Sequence, residues 1–232
     1  MTIRQLAGIA ALALALPAQA GSLDANEQRM VEWIDAHTED AIALLEETVN
    51  ISSGTMNHDG VRKVGAVMQR ELDAIGLETE WIELPPEMQR AGHLFARKTS
   101  GTSKKFVLIG HLDTVFEADD DFQAFQRDGD TATGPGVEDM KGGNVVIVYA
   151  LKALQEIGAL DDIPVVVAYT GEEEKYGVPL SISRKDLVEA GKWADIGLGF
   201  ESAMTFDGHD WGTIARRSSS EWMLTVEGRQ AH

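Results

Sequence analysis

The sequence has 232 residues, of which 44% are hydrophobic and 25% charged, an ordinary globular mixture with room for one sizeable core. Acidic residues outnumber basic ones 38 to 20, giving a net charge of −18. This charge excludes nucleic acid as a partner and disfavours anionic lipid, because both require a basic surface. The sequence contains no cysteine, so any metal site must use His, Asp and Glu side chains.

The first twenty residues have the pattern of a secretory signal peptide. Arg4 gives a positive start, an apolar run follows over residues 6–16, and Ala18-Gln19-Ala20 is a typical cleavage site. The apolar run is too short to span a bilayer. We therefore predict cleavage after Ala20, a secreted or periplasmic location, and no membrane association afterwards.

Helical and strand patterns alternate along the rest of the chain. Helices are predicted over residues 25–50, 61–75, 144–157 and 180–191. Strands are predicted over residues 77–84, 93–98, 105–109, 163–169 and 196–200, the second and third being paired around a turn at 100–103. This alternation predicts a three-layer α/β sandwich with a central, mostly parallel sheet, and functional groups at the carboxyl ends of its strands.

The C-terminal residues predict the beginning of a second domain. Residues 221–227 alternate between polar and apolar side chains like a new strand, and only five residues follow them. We therefore expect a catalytic domain over residues 21–215. Residues 216–232 are expected to hold the first strand of an α+β domain, truncated at His232.

A His-x-Asp motif directly follows the strand predicted at 105–109. Residues two apart in an extended segment face the same way, so the Asp113 carboxylate can accept a hydrogen bond from one nitrogen of His111. The other nitrogen would then face a metal. Taken alone, the motif is more often a turn with a casual His–Asp contact.

Three further acidic groups occupy comparable places. Asp139 lies in a glycine-rich segment before a predicted helix, where it could equally be a helix N-cap. Residues 172–174 are three consecutive glutamates after the most apolar strand, and Glu201 follows the strand at 196–200. Together with His111, these carboxylates have the composition of a two-zinc site, in which the ions lie about 3.5–4 Å apart and share a bridging carboxylate.

As a set, these motifs resemble one family of di-zinc peptidases. The segments are His111-Leu112-Asp113-Thr114-Val115, Gly134 to Gly143 with Asp139 near its centre, Thr170-Gly171-Glu172-Glu173-Glu174, and Phe200-Glu201. The family includes glutamate carboxypeptidase, aminoacylase, acetylornithine deacetylase and succinyl-diaminopimelate desuccinylase. The resemblance covers residues 26–232 and implies two Zn²⁺ ions, or Co²⁺ or Mn²⁺ in their place.

The resemblance also implies a role for each residue. His111 and Glu201 are implied to bind one zinc, Glu174 the other, and Asp139 both, with a cis peptide bond after Asp139. Asp113 is implied to orient His111, and Glu173 to be the general base. Because the family usually has Asp-Glu-Glu where this chain has three glutamates, Glu172 and Glu173 could instead be base and ligand. The position of Gly177 favours the first register.

The resemblance implies that His232 binds substrate or stabilises the oxyanion, often across a dimer.

The family's second zinc-binding histidine has no match in this sequence, so we expect one metal to bind moderately, the other poorly, and the chain to be inactive as it stands. The expected substrates are peptides, cleaved at an amide or peptide bond next to a free carboxylate, or N-acyl-amino acids. Rival hypotheses are a catalytically dead binding protein on the same scaffold and a calcium-binding module, which His111 disfavours. The remaining histidines, His93 among them, are predicted to be surface or loop residues.

Overall fold

In the computed structural model, residues 23–214 and 224–229 of the chain are described. The helices are α1 (Ala25–Ala36), α2 (Thr38–Val49), α3 (His58–Ala74), α4 (Gly142–Glu156), α5 (Leu180–Ser183) and α6 (Lys185–Trp193). The strands are β1 (Glu78–Ile82), β2 (His93–Lys98), β3 (Phe106–His111), β4 (Gln126–Asp128), β5 (Thr131–Thr133), β6 (Val165–Thr170), β7 (Ile196–Gly199), β8 (Met204–Phe206) and β9 (His209–Trp211).

Three of the predictions above fall on other parts of the chain. The signal peptide, His232 and the first residues of the predicted last strand lie outside the described residues. Residues 224–227 of that predicted strand have no regular secondary structure. Within the part of the chain that the structure describes, no helix combines the length and the apolar character that crossing a membrane would require.

Local sequence signals account for several helix boundaries. Helix α1 begins with a capping box, in which Asp24 Oδ1 accepts from Glu27 N at 2.9 Å while Glu27 Oε2 accepts from Asp24 N at 2.8 Å. Helix α3 begins after Asn57, whose side chain accepts a hydrogen bond from Gly60 N. It is followed by Gly76 at a φ of +81°, the left-handed conformation that glycine adopts without strain.

The main sheet has five strands in the order β1-β2-β6-β3-β7. Strands β3, β6 and β7 are parallel, β2 is antiparallel to β6, and β1 is antiparallel to β2. Four of the five strands therefore run in the same direction, and β2 alone runs in the other. The predicted α/β fold with a mostly parallel central sheet is confirmed.

The predicted pairing of β2 with β3 is wrong, because β6 lies between them and bonds to both. All six residues of β6 are buried, so this strand is most stable with a neighbour on each side and a helix layer on each face. The turn predicted to close a hairpin instead contacts the chain ahead of β6. Thr102 N donates to Asp162 Oδ1 at 2.9 Å, and Ser103 N donates to Asp162 O at 3.2 Å.

Helices cover both faces of the sheet, as the three-layer prediction requires. Alternate residues of β6 face opposite layers. Val167 belongs to the larger apolar cluster with α3 and α4, whereas Val166 and Ala168 belong to a smaller one with Ala190 of α6. Helices α1 and α2 pack against α4.

The strand register brings the predicted functional segments to one edge of the sheet. His111 at the end of β3 pairs with Thr170 at the end of β6, and Ile109 pairs with Gly199 at the end of β7. The segments beginning at Leu112, Gly171 and Phe200 therefore leave the sheet side by side.

His93 is not a surface residue, contrary to the sequence prediction. It begins the antiparallel strand β2, opposite Thr170, and its side chain is buried. Its Nε2 lies 2.9 Å from Ser183 O, and its Nδ1 accepts a hydrogen bond from Gly171 N at 3.2 Å. An Nδ1 that accepts a hydrogen bond carries no proton, so the ring is held in its neutral form. Burial lowers the pKa of His93, in the same direction.

This neutral histidine predicts a specific loss of stability in acid. Below about pH 6.5 the unfolded chain takes up a proton at His93 that the folded chain does not, so acidification favours unfolding. The charges of Glu172 and Asp186 raise the pKa of His93, whereas that of Arg184 lowers it. Between pH 6.5 and 5, urea unfolding should show the wild type losing stability relative to His93→Gln by up to about 1.4 kcal/mol per pH unit. Parallel curves for the two proteins would contradict it.

Candidate metal centre

His111 is the buried centre of the cluster at this edge. Its Nδ1 donates to the backbone carbonyl oxygen of Asp113 at 2.9 Å, which fixes the plane of the ring. Its Nε2 lies 2.9 Å from Asp139 Oδ1 and 3.6 Å from Glu201 Oε1. The imidazole therefore presents one nitrogen to two carboxylates, whose side chains are 59% and 44% exposed.

Asp139 is placed by a tight, glycine-rich loop before α4. Gly136 has a φ of +76°, and its carbonyl oxygen accepts from Lys141 N at 2.7 Å. The peptide bond between Asp139 and Met140 is cis, as the family resemblance implies. The buried Lys141 Nζ donates to the carbonyl oxygens of Thr48 and Ile51, each at 3.0 Å, and so ties the loop to the end of α2.

Glu201 reaches the cluster because β7 ends against the first turn of α4. A Cβ atom at Gly143 would lie 2.0 Å from the carbonyl oxygen of Phe200, so only glycine permits this approach. The ligand atoms of His111, Asp139 and Glu201 all lie within 4.8 Å of one another. One imidazole and two carboxylates that converge in this way fit a divalent metal of the zinc type.

The electrostatics of the cluster also favour a cation. Burial by itself lowers the pKa of His111, but the carboxylates of Asp113, Glu201 and Glu173 outweigh it and raise that pKa to about 9. Burial raises the pKa of Glu201, and the charge of Asp139 adds to this. Burial and then Asp139 raise the pKa of Glu174 to about 7. Carboxylates crowded at one edge repel one another, and a bound divalent ion would relieve that repulsion.

The three consecutive glutamates have different environments. Glu172 is fully buried, with Oε1 2.7 Å from Arg184 Nη1 and Oε2 accepting a hydrogen bond from Gly177 N. Glu173 is exposed, and Glu174 is partly buried beside Asp139. Glu172 is therefore paired with Arg184 in the protein interior. The charges of Glu173 and Glu174 instead interact with the His111 cluster.

Asp113 lies next to His111, but its carboxylate is held mainly by other groups. The sequence predicted a hydrogen bond from His111 to this carboxylate, whereas Nδ1 lies 3.5 Å from Oδ1 and closer to the backbone carbonyl. Oδ1 accepts from Glu173 N at 3.0 Å. Oδ2 accepts from Glu174 N at 3.1 Å and from Thr55 Oγ1 at 2.7 Å.

Several residues that support the cluster were missed by the sequence analysis: Thr55, Lys141, Asn144 and Arg184. Asn144 is buried, and its Nδ2 donates to the carbonyl oxygen of His111 at 2.6 Å. Lys141 and Asn144 precede or enter the apolar helix α4, and polar residues in such a context are a signal for buried hydrogen bonding. Thr55 gave no comparable signal, because it lies in an irregular segment far from Asp113 in the sequence.

Comparisons with known proteins agree with this geometry. A sequence model described as "Peptidase family M20/M25/M40" matches residues 107–215, which include every cluster residue from His111 to Glu201. Carboxypeptidase G2 of Pseudomonas sp. (strain RS-16) is 31% identical over 193 residues, covering 82% of this chain and 45% of that protein. Succinyl-diaminopimelate desuccinylase of Gluconobacter oxydans (strain 621H) is 29% identical over 201 residues, covering 83% of this chain and 50% of that protein.

Solved structures share the fold at lower identity. Human carnosine dipeptidase 1 superposes with a TM-score of 0.61 and 20% identity, covering 76% of this chain and 41% of that one. The dipeptidase Dug1p of Saccharomyces cerevisiae has a TM-score of 0.60 and 19% identity, covering 74% of this chain and 40% of that one. The chain thus spans about half the length of the relatives it matches.

Proposed function

We propose, from the premise that this chain belongs to peptidase family M20/M25/M40, that it supplies the metal centre and general base of a secreted metal-dependent hydrolase. The enzyme would cleave an amide or peptide bond next to a free carboxylate. The observation that carries the proposal is the convergence of His111, Asp139 and Glu201 at the carboxyl edge of the sheet. The signal-peptide pattern of residues 1–20 supports the location.

Two zinc ions are proposed as the cofactors. His111, Glu201 and one oxygen of Asp139 would hold the first ion, and Asp139 and Glu174 would contribute to the second. Such ions polarise a substrate carbonyl and make water more acidic. His232, in a homodimer of the complete protein, is proposed to contact the substrate.

Glu173 is the proposed general base. It is exposed and follows a buried strand, and its charge raises the pKa of both His111 and Glu201. In the proposed reaction its carboxylate takes a proton from the attacking water and returns it to the leaving nitrogen. The engagement of Glu172 with Arg184 supports this register over the alternative in which Glu172 is the base.

An N-acyl-amino-acid deacylase is the second candidate, favoured by the likeness to succinyl-diaminopimelate desuccinylase. The complete protein should be assayed, with zinc and then with a chelator, on dipeptides with C-terminal glutamate beside N-acetyl amino acids. Chelator-sensitive cleavage supports the metallohydrolase proposal, and the preferred substrate decides between the two candidates. No cleavage of either class by zinc-loaded protein would contradict both and favour a binding protein.

Zinc is expected to stabilise the chain through the His111 cluster. At a free zinc concentration 100 times Kd, binding contributes about 2.7 kcal/mol, or a rise in Tm of about 5–10 °C for a domain of this size. Differential scanning fluorimetry should show this rise, its reversal by EDTA, and its loss in His111→Asn, because the only imidazole of the triad is removed. His209→Asn, a change at an exposed histidine of β9, is the control. An equal rise in His111→Asn would place the zinc elsewhere.

A further inference from the structure

The Asp113 carboxylate has a part in the site that the metal ligands do not explain. It is fully buried, and it accepts hydrogen bonds from the backbone amides of two consecutive residues, Glu173 and Glu174. Hydrogen bonds to an ionised acceptor are roughly twice as strong as those between neutral groups. The segment after β6 has no strand partner at these residues, so Asp113 holds its backbone.

Thr55 in turn holds the Asp113 carboxylate. Its Oγ1 donates to Asp113 Oδ2 at 2.7 Å, and the side chain is buried. The backbone around Thr55 is also fixed, because its N donates to Thr114 O at 3.2 Å while Thr114 N donates to Ser53 O at 2.9 Å. A threonine side chain is stiff at χ1, so a fixed backbone fixes the hydroxyl.

We propose that Thr55 is a positioning residue for the reaction. Through Asp113 it sets the backbone of Glu173 and Glu174, and therefore the place of the general base relative to the metal triad. The same carboxylate lies 3.5 Å from His111 Nδ1, so one buried group contacts the histidine and the backbone of both glutamates. The importance of this arrangement for catalysis rests on the proposed function, whereas the hydrogen bonds themselves do not.

The test compares Thr55→Val, which removes the hydroxyl and keeps the shape, with Thr55→Ser, which keeps the hydroxyl. Hydrogen exchange followed by NMR should show protection of the Glu173 and Glu174 amides falling about 10-fold in Thr55→Val relative to the core amide of Val67 in α3. Protection in Thr55→Ser should stay near the wild-type level. In the complete protein, kcat should fall about 10-fold in Thr55→Val with KM nearly unchanged.

Two results would overturn the inference. One is unchanged protection of the two glutamate amides in Thr55→Val. The other is an equal loss of protection at these amides and at Val67, which would mean that Thr55 only stabilises the fold. The exchange measurement needs neither metal nor substrate. A selective loss of protection in a protein that hydrolyses none of the substrates would therefore support the positioning role while the proposed function fails.

Discussion

Glu173→Gln is expected to lower kcat of the complete protein by about 10²–10⁴-fold, the usual contribution of a general acid–base group. Glutamine has nearly the same shape as glutamate but cannot take a proton from water at neutral pH. Because Glu173 is not one of the three residues whose ligand atoms converge, the protein should keep its first metal ion. Steady-state kinetics and metal analysis of the same preparations check both expectations.

Glu189→Gln is the matched control for this prediction, since Glu189 is an exposed residue of α6 and is not among the converging ligand residues. It should leave kcat and metal content unchanged. Loss of metal together with activity in Glu173→Gln would assign Glu173 as a ligand. That outcome would restore the alternative register, in which Glu172 and Glu173 are base and ligand.

The sequence predicted that His111, Asp139 and Glu201 would lie at one edge of the sheet, and the structure brings their ligand atoms together there. His111 and Asp139 are 28 residues apart, yet Nε2 and Oδ1 lie 2.9 Å apart. This proximity follows because parallel strands end at one edge of a sheet, and each acidic or imidazole residue follows an apolar segment or a glycine-rich turn. Metal binding by the three residues stays a prediction. The local pattern was enough because the topology of such sheets is strongly restricted.

Strand order and the supporting residues could not be predicted in the same way. The apolar run of β6 fits either side of β3, and only the packing of both faces decides that it separates β2 from β3. His93 is buried because β2 runs opposite to its neighbours and starts at the functional edge. Thr55 reaches Asp113 across 58 residues through irregular chain, where no periodicity indicates a contact.

Without a bound ligand, the partly buried charges of the cluster are unfavourable to the stability of the domain. The central strands β3 and β6 are largely apolar, whereas the carboxyl edge of the sheet gathers an imidazole and several carboxylates whose pKa values are shifted by burial and by one another. Local conflicts of this kind are typical of functional sites, because a ligand compensates for them. A bound divalent cation would offset the repulsion, so metal should stabilise the fold as well as support the proposed chemistry.

Arg184→Met is expected to destabilise the fold by about 3–5 kcal/mol, because it leaves the Glu172 carboxylate buried without its counter-ion. The Glu172 side chain is 0% exposed and that of Arg184 is 21% exposed, so water replaces the lost partner poorly. Urea unfolding at pH 7 measures this loss. Adding Glu172→Gln to Arg184→Met should recover part of the stability, since the uncompensated charge is then gone.

Arg127→Met provides the comparison for an exposed ion pair. Arg127 binds Glu39 with two hydrogen bonds, but their side chains are 37% and 75% exposed, so the loss of stability should be much smaller than in Arg184→Met. A similarly small loss in Arg184→Met would mean that water reaches Glu172 in the folded protein. Glu172 would then be available to the cluster, and its exclusion from the base and ligand roles would lose its structural basis.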